Sequence, residues 1–236
     1  MCKVDFIIVG QGLAGTVLAL TLSNHSKSFV IIDNNSPTAS SFAAAGISHP
    51  ISFKRLILSW QAEKLIPFSK KFYQETYRLI KELTFKEQEM IRFFSSFEEQ
   101  NNWMIKAADD RFAKFLKRST SSFKSYNINE PFGNGKVSQA SRLNVSRFVR
   151  LTRNYFISQN KLINHSFEYD KLSISKSSCQ YQNITAKKII FCEGPSVKTN
   201  PFFNYLPFGL NKGVVLTIST KELPKKLLSK GCFVVP

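Results

Sequence analysis

Gly10-Gln11-Gly12-Leu13-Ala14-Gly15 sets three glycines at the spacing of a phosphate-gripping turn, and Asp33 stands 18 residues after the last of them. Each residue answers a physical requirement. Gly10 lets the chain leave a strand in a tight turn, Gly12 lets a pyrophosphate approach bare backbone, and Gly15 lets the next helix pack close to the strand. The N-terminus of that helix offers unpaired N–H groups and partial positive charge to phosphate. An acid near an offset of about 20 residues receives ribose hydroxyls and disfavours a 2′-phosphate. The chemistry is therefore dinucleotide binding, and it argues against NADP. The alternative is an α/β domain whose glycine turn holds no ligand.

Such a turn must be held by regular elements, and the flanking residues supply them. Phe6-Ile7-Ile8-Val9 is a short apolar run that flows into Gly10. A helical pattern opens at Thr16, and a second apolar run, Phe29–Ile32, ends on Asp33. Residues 4–33 thus read as a βαβ unit.

Further along, residues 34–50 are small and polar, then small and apolar. A helical pattern covers Arg55 to about Leu83, with Leu56, Trp60, Leu65, Phe68, Phe72 and Leu79 as candidate core residues and Pro67 as a break or kink. Residues 91–97 read as a strand and Phe97–Leu116 as a helix. Residues 119–141 read as irregular around a turn at Pro131–Gly135. Asn144 is an N-cap candidate for a helix carrying Val145, Phe148, Val149, Thr152 and Phe156 on one face. Arg147, Arg150 and Arg153 fall largely off that stripe and read as a solvated face rather than an anion site. Strands are expected around Leu162–Phe167, Leu172–Ser175, Cys179–Tyr181, Lys188–Cys192 and Gly213–Ile218, and again at Phe233–Val235.

The 236 residues suffice for one large or two modest domains, and a hydrophobic content of 43% supports a packed core. Lys and Arg number 33 against 16 acids, for a formal charge of +17. Such charge suits a nucleic-acid or membrane-surface partner, or simply basic residues spread over many helices. No block of five basic residues occurs, and the clusters at Lys114–Arg118 and Lys221–Lys226 read as solvated faces, so nucleic acid is possible but not favoured. Cys2, Cys179, Cys192 and Cys232 show no metal spacing and read as reduced thiols of a cytoplasmic protein. No signal peptide and no membrane-spanning apolar stretch is read, and oligomeric state is not legible.

In this order the pieces resemble the FAD-dependent D-amino-acid oxidase and glycine oxidase superfamily. The resemblance rests on the N-terminal fingerprint, on Asp33, and on Ser40-Ser41-Phe42-Ala43-Ala44-Ala45-Gly46-Ile47, which is similar to the family segment that passes the pyrophosphate and flavin. Read from the residues alone, that segment fits an Ala-rich helix start equally well. A second match is Ile189-Ile190-Phe191-Cys192-Glu193-Gly194, similar to a late strand ending in Ala-x-Gly, with Cys192 where Ala is usual. Lys212–Leu216 resembles a strand of the family's substrate domain, and Phe167 is a candidate to lie over the adenine ring.

The resemblance implies an α/β fold: a Rossmann-like FAD-binding domain of residues 1–50 and 142–200. A mainly antiparallel, α+β substrate domain of residues 51–141 and 201–236 interleaves with it. It implies FAD held by Gly10, Gly12, Leu13, Ala14, Gly15, Asp33, Asn34, Ser40, Ser41, Ala44, Gly46, Ile47 and Gly194. It implies oxidation of the C–N bond of an amine or amino acid. No catalytic side chain and no metal ligand is assigned. His49, Lys54 and Arg55 stand where a flavin ring or a substrate carboxylate would be met, although His49 before Pro50 also reads as a plain loop histidine. Family members run well beyond this length, so the chain reads as shortened, and the tail it lacks carries the usual substrate-binding arginine. Competing expectations are a related FAD enzyme acting on tRNA, a non-catalytic remnant and an NAD-dependent dehydrogenase.

Overall fold

A computed structural model describes residues 2–118, 123, 126, 128–220, 222 and 225–236. The elements begin with β1 (Cys2–Val9), α1 (Leu13–Asn24), β2 (Phe29–Ile32), α2 (Ser40–Ala43), β3 (Ile47–Ser48), β4 (Ile51–Ser52) and β5 (Ile57–Leu58). There follow α3 (Ala62–Ile80), β6 (Phe85–Glu87), β7 (Met90–Phe93), α4 (Phe97–Ala107), α5 (Asp110–Ala113), β8 (Leu116–Arg118), β9 (Asn134–Val137) and β10 (Ser141–Leu143). The chain continues with α6 (Val145–Ser158), β11 (Leu162–Ile163), β12 (Leu172–Ile174), β13 (Cys179–Tyr181), β14 (Ile184–Phe191), β15 (Leu227–Lys230) and β16 (Cys232–Val234). Contacts divide the chain into two units: one running to Ala44 and resuming over Val145–Val215, the other Ala45–Asn144 with Leu216–Pro236.

The first unit is built on a six-stranded sheet of order β11-β2-β1-β14-β13-β12. β11, β2, β1 and β14 run parallel, and β13 and β12 add an antiparallel edge. Parallel strands are covered on both faces, so they read as unbroken apolar runs. Ile7, Ile8, Ile31 and Ile32 are accordingly buried. α6 packs against α1 and α2 through the expected stripe: Val145, Phe148, Val149, Thr152 and Phe156 are all buried, and Phe156 meets Phe29 edge-on at 5.8 Å. β1 lies between β2 and β14, so the C-terminal ends of these strands form the crevice where open α/β sheets bind ligands.

The second unit has a five-stranded sheet, β16-β15-β7-β9-β8, a three-stranded sheet, β3-β10-β6, and the hairpin β4-β5. All its pairings are antiparallel except β15 with β7. Its core gathers Met90, Phe94, Phe115, Leu116 and Val137 around the fully buried Trp103. The architecture is the α/β sheet with a mainly antiparallel second unit that the sequence implies.

Several local expectations are corrected. α1 starts at Leu13, not Thr16, because Gly12 itself takes the N-cap position. The helix expected from Arg55 begins at Ala62, because the preceding residues pair as β4 and β5. α3 passes Pro67 unbroken. Its buried residues are Ala62, Thr76 and Ile80, while Trp60, Leu65, Phe68 and Leu79 are exposed, so the bulky residues were the wrong guide to the inward face. The strand at 91–97 ends at Phe93, since Ser96 caps α4 by accepting from the Glu99 N–H. The single helix over 97–116 is two, separated where Asp109 caps α5. The stretch read as irregular contains β9 and the start of β10; residues 119–122, 124, 125 and 127, and residues 221, 223 and 224 of the basic cluster, lie outside the described residues. The first strand after α6 stops at Ile163. Gly213–Ile218 forms no strand: Val214, Leu216 and Ile218 are exposed, with no pairing edge among the described residues.

Candidate functional site

The first unit holds a cleft of about 1010 Å³ at the ends of β1, β2 and β14. That is at the large end of the roughly 300–1,000 Å³ of small-molecule sites. The glycine turn forms its floor. Gly10 has φ +94°, and its N–H donates to Ile32 O at 2.9 Å, tying the turn to β2. A side chain there would collide with the Cys192 carbonyl oxygen, 2.4 Å from an ideal β-carbon. At Gly12 a β-carbon would meet only the Ser41 hydroxyl, at 3.0 Å, so the space above this residue is open.

Helix α1 presents its N-terminus to the same cleft. The Leu13 N–H donates to Ser41 Oγ at 2.9 Å. The N–H groups of Gly12 and Ala14 have no partner among the described residues, and both residues line the cleft. Ser41 accepts through its oxygen, which leaves its O–H free to donate. Unpaired N–H groups at a helix start, a free hydroxyl and a bare glycine form a cradle for a phosphate.

Asp33 lines the same cleft at the end of β2. Its Oδ2 accepts from the Gln11 N–H at 2.8 Å, and Oδ1 accepts from the Asn35 N–H at 2.8 Å and from Arg153 Nη1 at 2.6 Å. Arg153 is a correction: the residue expected on a solvated face is buried. It also donates to Gln11 Oε1 at 3.0 Å, Asp33 O at 3.1 Å and Asn164 Oδ1 at 2.9 Å. The signal was there to read, since Arg153 stands four residues after Val149 and three before Phe156, within the apolar stripe. Gln11, to which the sequence reading gives no role, is buried, and its side-chain amide donates to Thr16 Oγ1 and Val149 O, each at 3.2 Å. Arg150 lies over the Phe42 ring at 5.5 Å.

The far wall is aromatic. Phe167 lines the cleft and stacks on Tyr181 with centroids 4.4 Å apart, and Tyr169, Phe191 and Phe203 stand beside it. Glu193 accepts from the Tyr169 hydroxyl and, at 2.6 Å, from Asn200 Nδ2. Burial, reinforced by that carboxylate, pushes the Tyr169 phenol above its ordinary range, so it remains a donor. Burial also raises the Cys192 thiol.

Of the residues implied by resemblance, Gly10, Gly12, Leu13, Ala14, Asp33, Asn34, Ser40, Ser41 and Gly194 line this cleft. Gly15 does not; it packs beneath, against Gly10. Ala44 ends the first unit without reaching the lining, and Gly46 and Ile47 belong to the second unit.

The second unit has its own cleft, of about 700 Å³, lined by Ile47, His49, Phe53, Lys54, Arg92 and Ser229 among others. His49 stacks on Phe53 at 4.8 Å, and Arg92 lies over the same ring at 5.2 Å. Arg92 Nε donates to Glu99 Oε1 at 2.8 Å and Nη1 to Ser229 Oγ at 3.2 Å, so Nη2 is left without a partner among the described residues. Burial lowers the His49 pKa against a hydrogen bond with the Ile51 backbone. Arg55 does not line this cleft. Among the described residues there is no cluster of metal-ligating side chains and no helix long and apolar enough to cross a membrane.

Comparison with known proteins agrees with this geometry. Residues 5–55 match the family model of an FAD binding domain. Glycine oxidase from Geobacillus kaustophilus superposes with a TM-score of 0.60 at 12% identity, over 81% of this chain and 55% of its own. L-amino acid deaminase from Proteus vulgaris gives 0.58 at 13% identity, over 81% and 47%. Iminodiacetate oxidase from Chelativorans sp. BNC1 gives 0.56 at 15% identity, over 79% and 54%. The fold is that of these oxidases and deaminases, the cofactor indicated is FAD, and the chain spans about half the length of the structures it matches.

Proposed function

We propose that this chain binds FAD in the cleft of its first unit and belongs to an oxidoreductase acting on the C–N bond of an amine or amino acid. The observation that carries the reading is one cleft lined by the free Gly12 and Ala14 N–H groups, the Ser41 hydroxyl and Asp33. Gly10, Gly12, Leu13, Ala14 and Ser41 would hold the pyrophosphate, with Ser40 beside them. Asp33 and Asn34 would face the ribose, Phe167 the adenine, and Gly194 would close the turn opposite. Ala44, Gly46 and Ile47 do not line this cleft, and a role for them at the flavin would rest on the resemblance of the Ser40–Ile47 segment alone. FAD, when held by these residues, would supply the capacity to take up a hydride from the carbon beside the amine.

The chain's own part is to bind and orient. In the second cleft, Arg92 Nη2 and Lys54 suit a carboxylate, which favours an amino acid over a simple amine. His49 is neutral near pH 7, with its pKa held down by burial, and so adds no charge there.

The test is direct. The purified chain, or the chain reconstituted with FAD, should show the visible bands of oxidised flavin, and amino acids should bleach them without oxygen. A colourless protein that cannot take up FAD ends this reading.

A further inference from the structure

We propose that Arg153 is a positioning residue of the cofactor site: it holds Asp33 so that a single acceptor position, on Oδ2, is offered to one ribose hydroxyl. The inference rests on the reading of the first cleft as an FAD site.

A carboxylate has about four lone-pair positions. On Asp33, Oδ1 spends both of its positions, on Arg153 Nη1 and the Asn35 N–H, and Oδ2 spends one on the Gln11 N–H. One position remains, and Asp33 lines the cleft. Arg153 does not line it, and its side chain is only 8% exposed. It therefore acts through Asp33 rather than on a ligand. It is no phosphate site either, because the four N–H groups of Nη1 and Nη2 are spent on Gln11 Oε1, Asp33 Oδ1, Asp33 O and Asn164 Oδ1.

The guanidinium fork explains why arginine stands here. One planar group joins the glycine turn, the end of β2 and the residue after β11, which a lysine's point charge does not do. Fixing the Gln11 amide from one side and the Asp33 carboxylate from the other sets the Gln11 N–H onto Oδ2, so the remaining acceptor has a defined direction. A residue placed only for stability would need no such three-way fit.

Titrations of FAD, ADP, 2′-deoxy-ADP and 3′-deoxy-ADP into the full chain and its variants test this, with circular dichroism as the folding control. In the unaltered chain, loss of one hydroxyl should weaken binding about tenfold or more, the scale of one hydrogen bond to a charged group. Loss of the other should change little. Arg153→Met should weaken ADP but hardly affect the sensitive deoxy analogue, so discrimination collapses. Asp33→Asn should do the same, and the double variant should be no worse than Asp33→Asn alone. Arg153→Lys, which keeps the charge without the fork, should fall between. If Arg153→Met does not fold, Arg153→Lys and the double variant, which leaves no unpaired buried charge, carry the comparison.

Lower thermal stability with unchanged discrimination in the Arg153 variants would overturn the proposal in favour of a purely structural ion pair. FAD binding without hydroxyl discrimination in the unaltered chain would overturn this inference alone. Binding of neither FAD nor ADP would overturn the FAD reading and this inference with it.

Discussion

A β-carbon placed on Gly15 would lie 1.9 Å from the carbonyl oxygen of Gly10, whereas one on Gly12 would meet only the movable Ser41 hydroxyl at 3.0 Å. The two substitutions should therefore fail differently. Gly15→Ala forces backbone apart beneath the turn and should cost at least the roughly 1–3 kcal/mol of overpacking. Gly12→Ala should leave the melting temperature within a few degrees but fill the space proposed for a phosphate. Thermal melts and FAD titration of both variants check this. A stable Gly15→Ala protein, or a Gly12→Ala protein with full FAD affinity, would count against the assignment.

Ser41 is expected to serve helix and cofactor together. It accepts from the Leu13 N–H at 2.9 Å, as a cap does, and keeps its O–H for the phosphate. Ser41→Ala should cost about 1 kcal/mol of stability, the usual value of a lost cap. It should also weaken FAD by about tenfold, the scale of a hydrogen bond to a charged group. Ser41→Thr keeps the hydroxyl and should restore much of both. Comparing FAD with riboflavin separates the effects, since riboflavin carries no phosphate and should be indifferent to the change.

The glycine turn, Asp33 and the apolar strands were legible because they rest on local rules: period, turn chemistry and spacing. The α6 stripe was legible for the same reason, down to Thr152. What was not legible depends on pairing across the chain. Arg153 reads as solvated because it falls largely off the apolar stripe, yet Asp33 and Asn164 compensate it within the fold. Trp60, Leu65 and Phe68 read as core from the helical pattern, but they are exposed, and Ala62, Thr76 and Ile80 are the buried residues of α3. Val214, Leu216 and Ile218 looked like a strand, but a strand needs an edge to pair with, and residue type does not report one.

His49 should give the second unit an acid-sensitive stability. Burial lowers its pKa from the ordinary 6.5, so the folded state favours the neutral ring. Its contribution is present above the unfolded pKa and is lost as pH falls below about 6.5 and through the folded value, where unfolding takes up a proton that the fold resists. The slope from one such group is at most about 1.4 kcal/mol per pH unit. His49→Phe keeps an aromatic ring against Phe53, stacked at 4.8 Å in the parent, and removes the titration. Melting temperatures between pH 7.5 and 5 should fall less steeply in the variant. Parallel profiles would show that His49 is not the group responsible.

The core of the second unit turns on the contact between Gly135 and Trp103. A β-carbon at 135 would lie 2.2 Å from the indole ring, which is fully buried and donates through Nε1 to Lys117 O at 3.2 Å. β9 can pass under the tryptophan because residue 135 has no side chain. Gly135→Ala must displace the ring or the strand, either of which breaks the packing with Phe94 and Phe115. The other tryptophan, Trp60, is 78% exposed, so Trp60→Phe should leave stability nearly unchanged and make Trp103 the sole tryptophan reporter under selective indole excitation. In that background the emission should be blue, as for a ring shielded from water. Adding Gly135→Ala should shift it to the red and lower the melting temperature by several degrees. Blue emission that survives Gly135→Ala would mean that the ring is not held against β9.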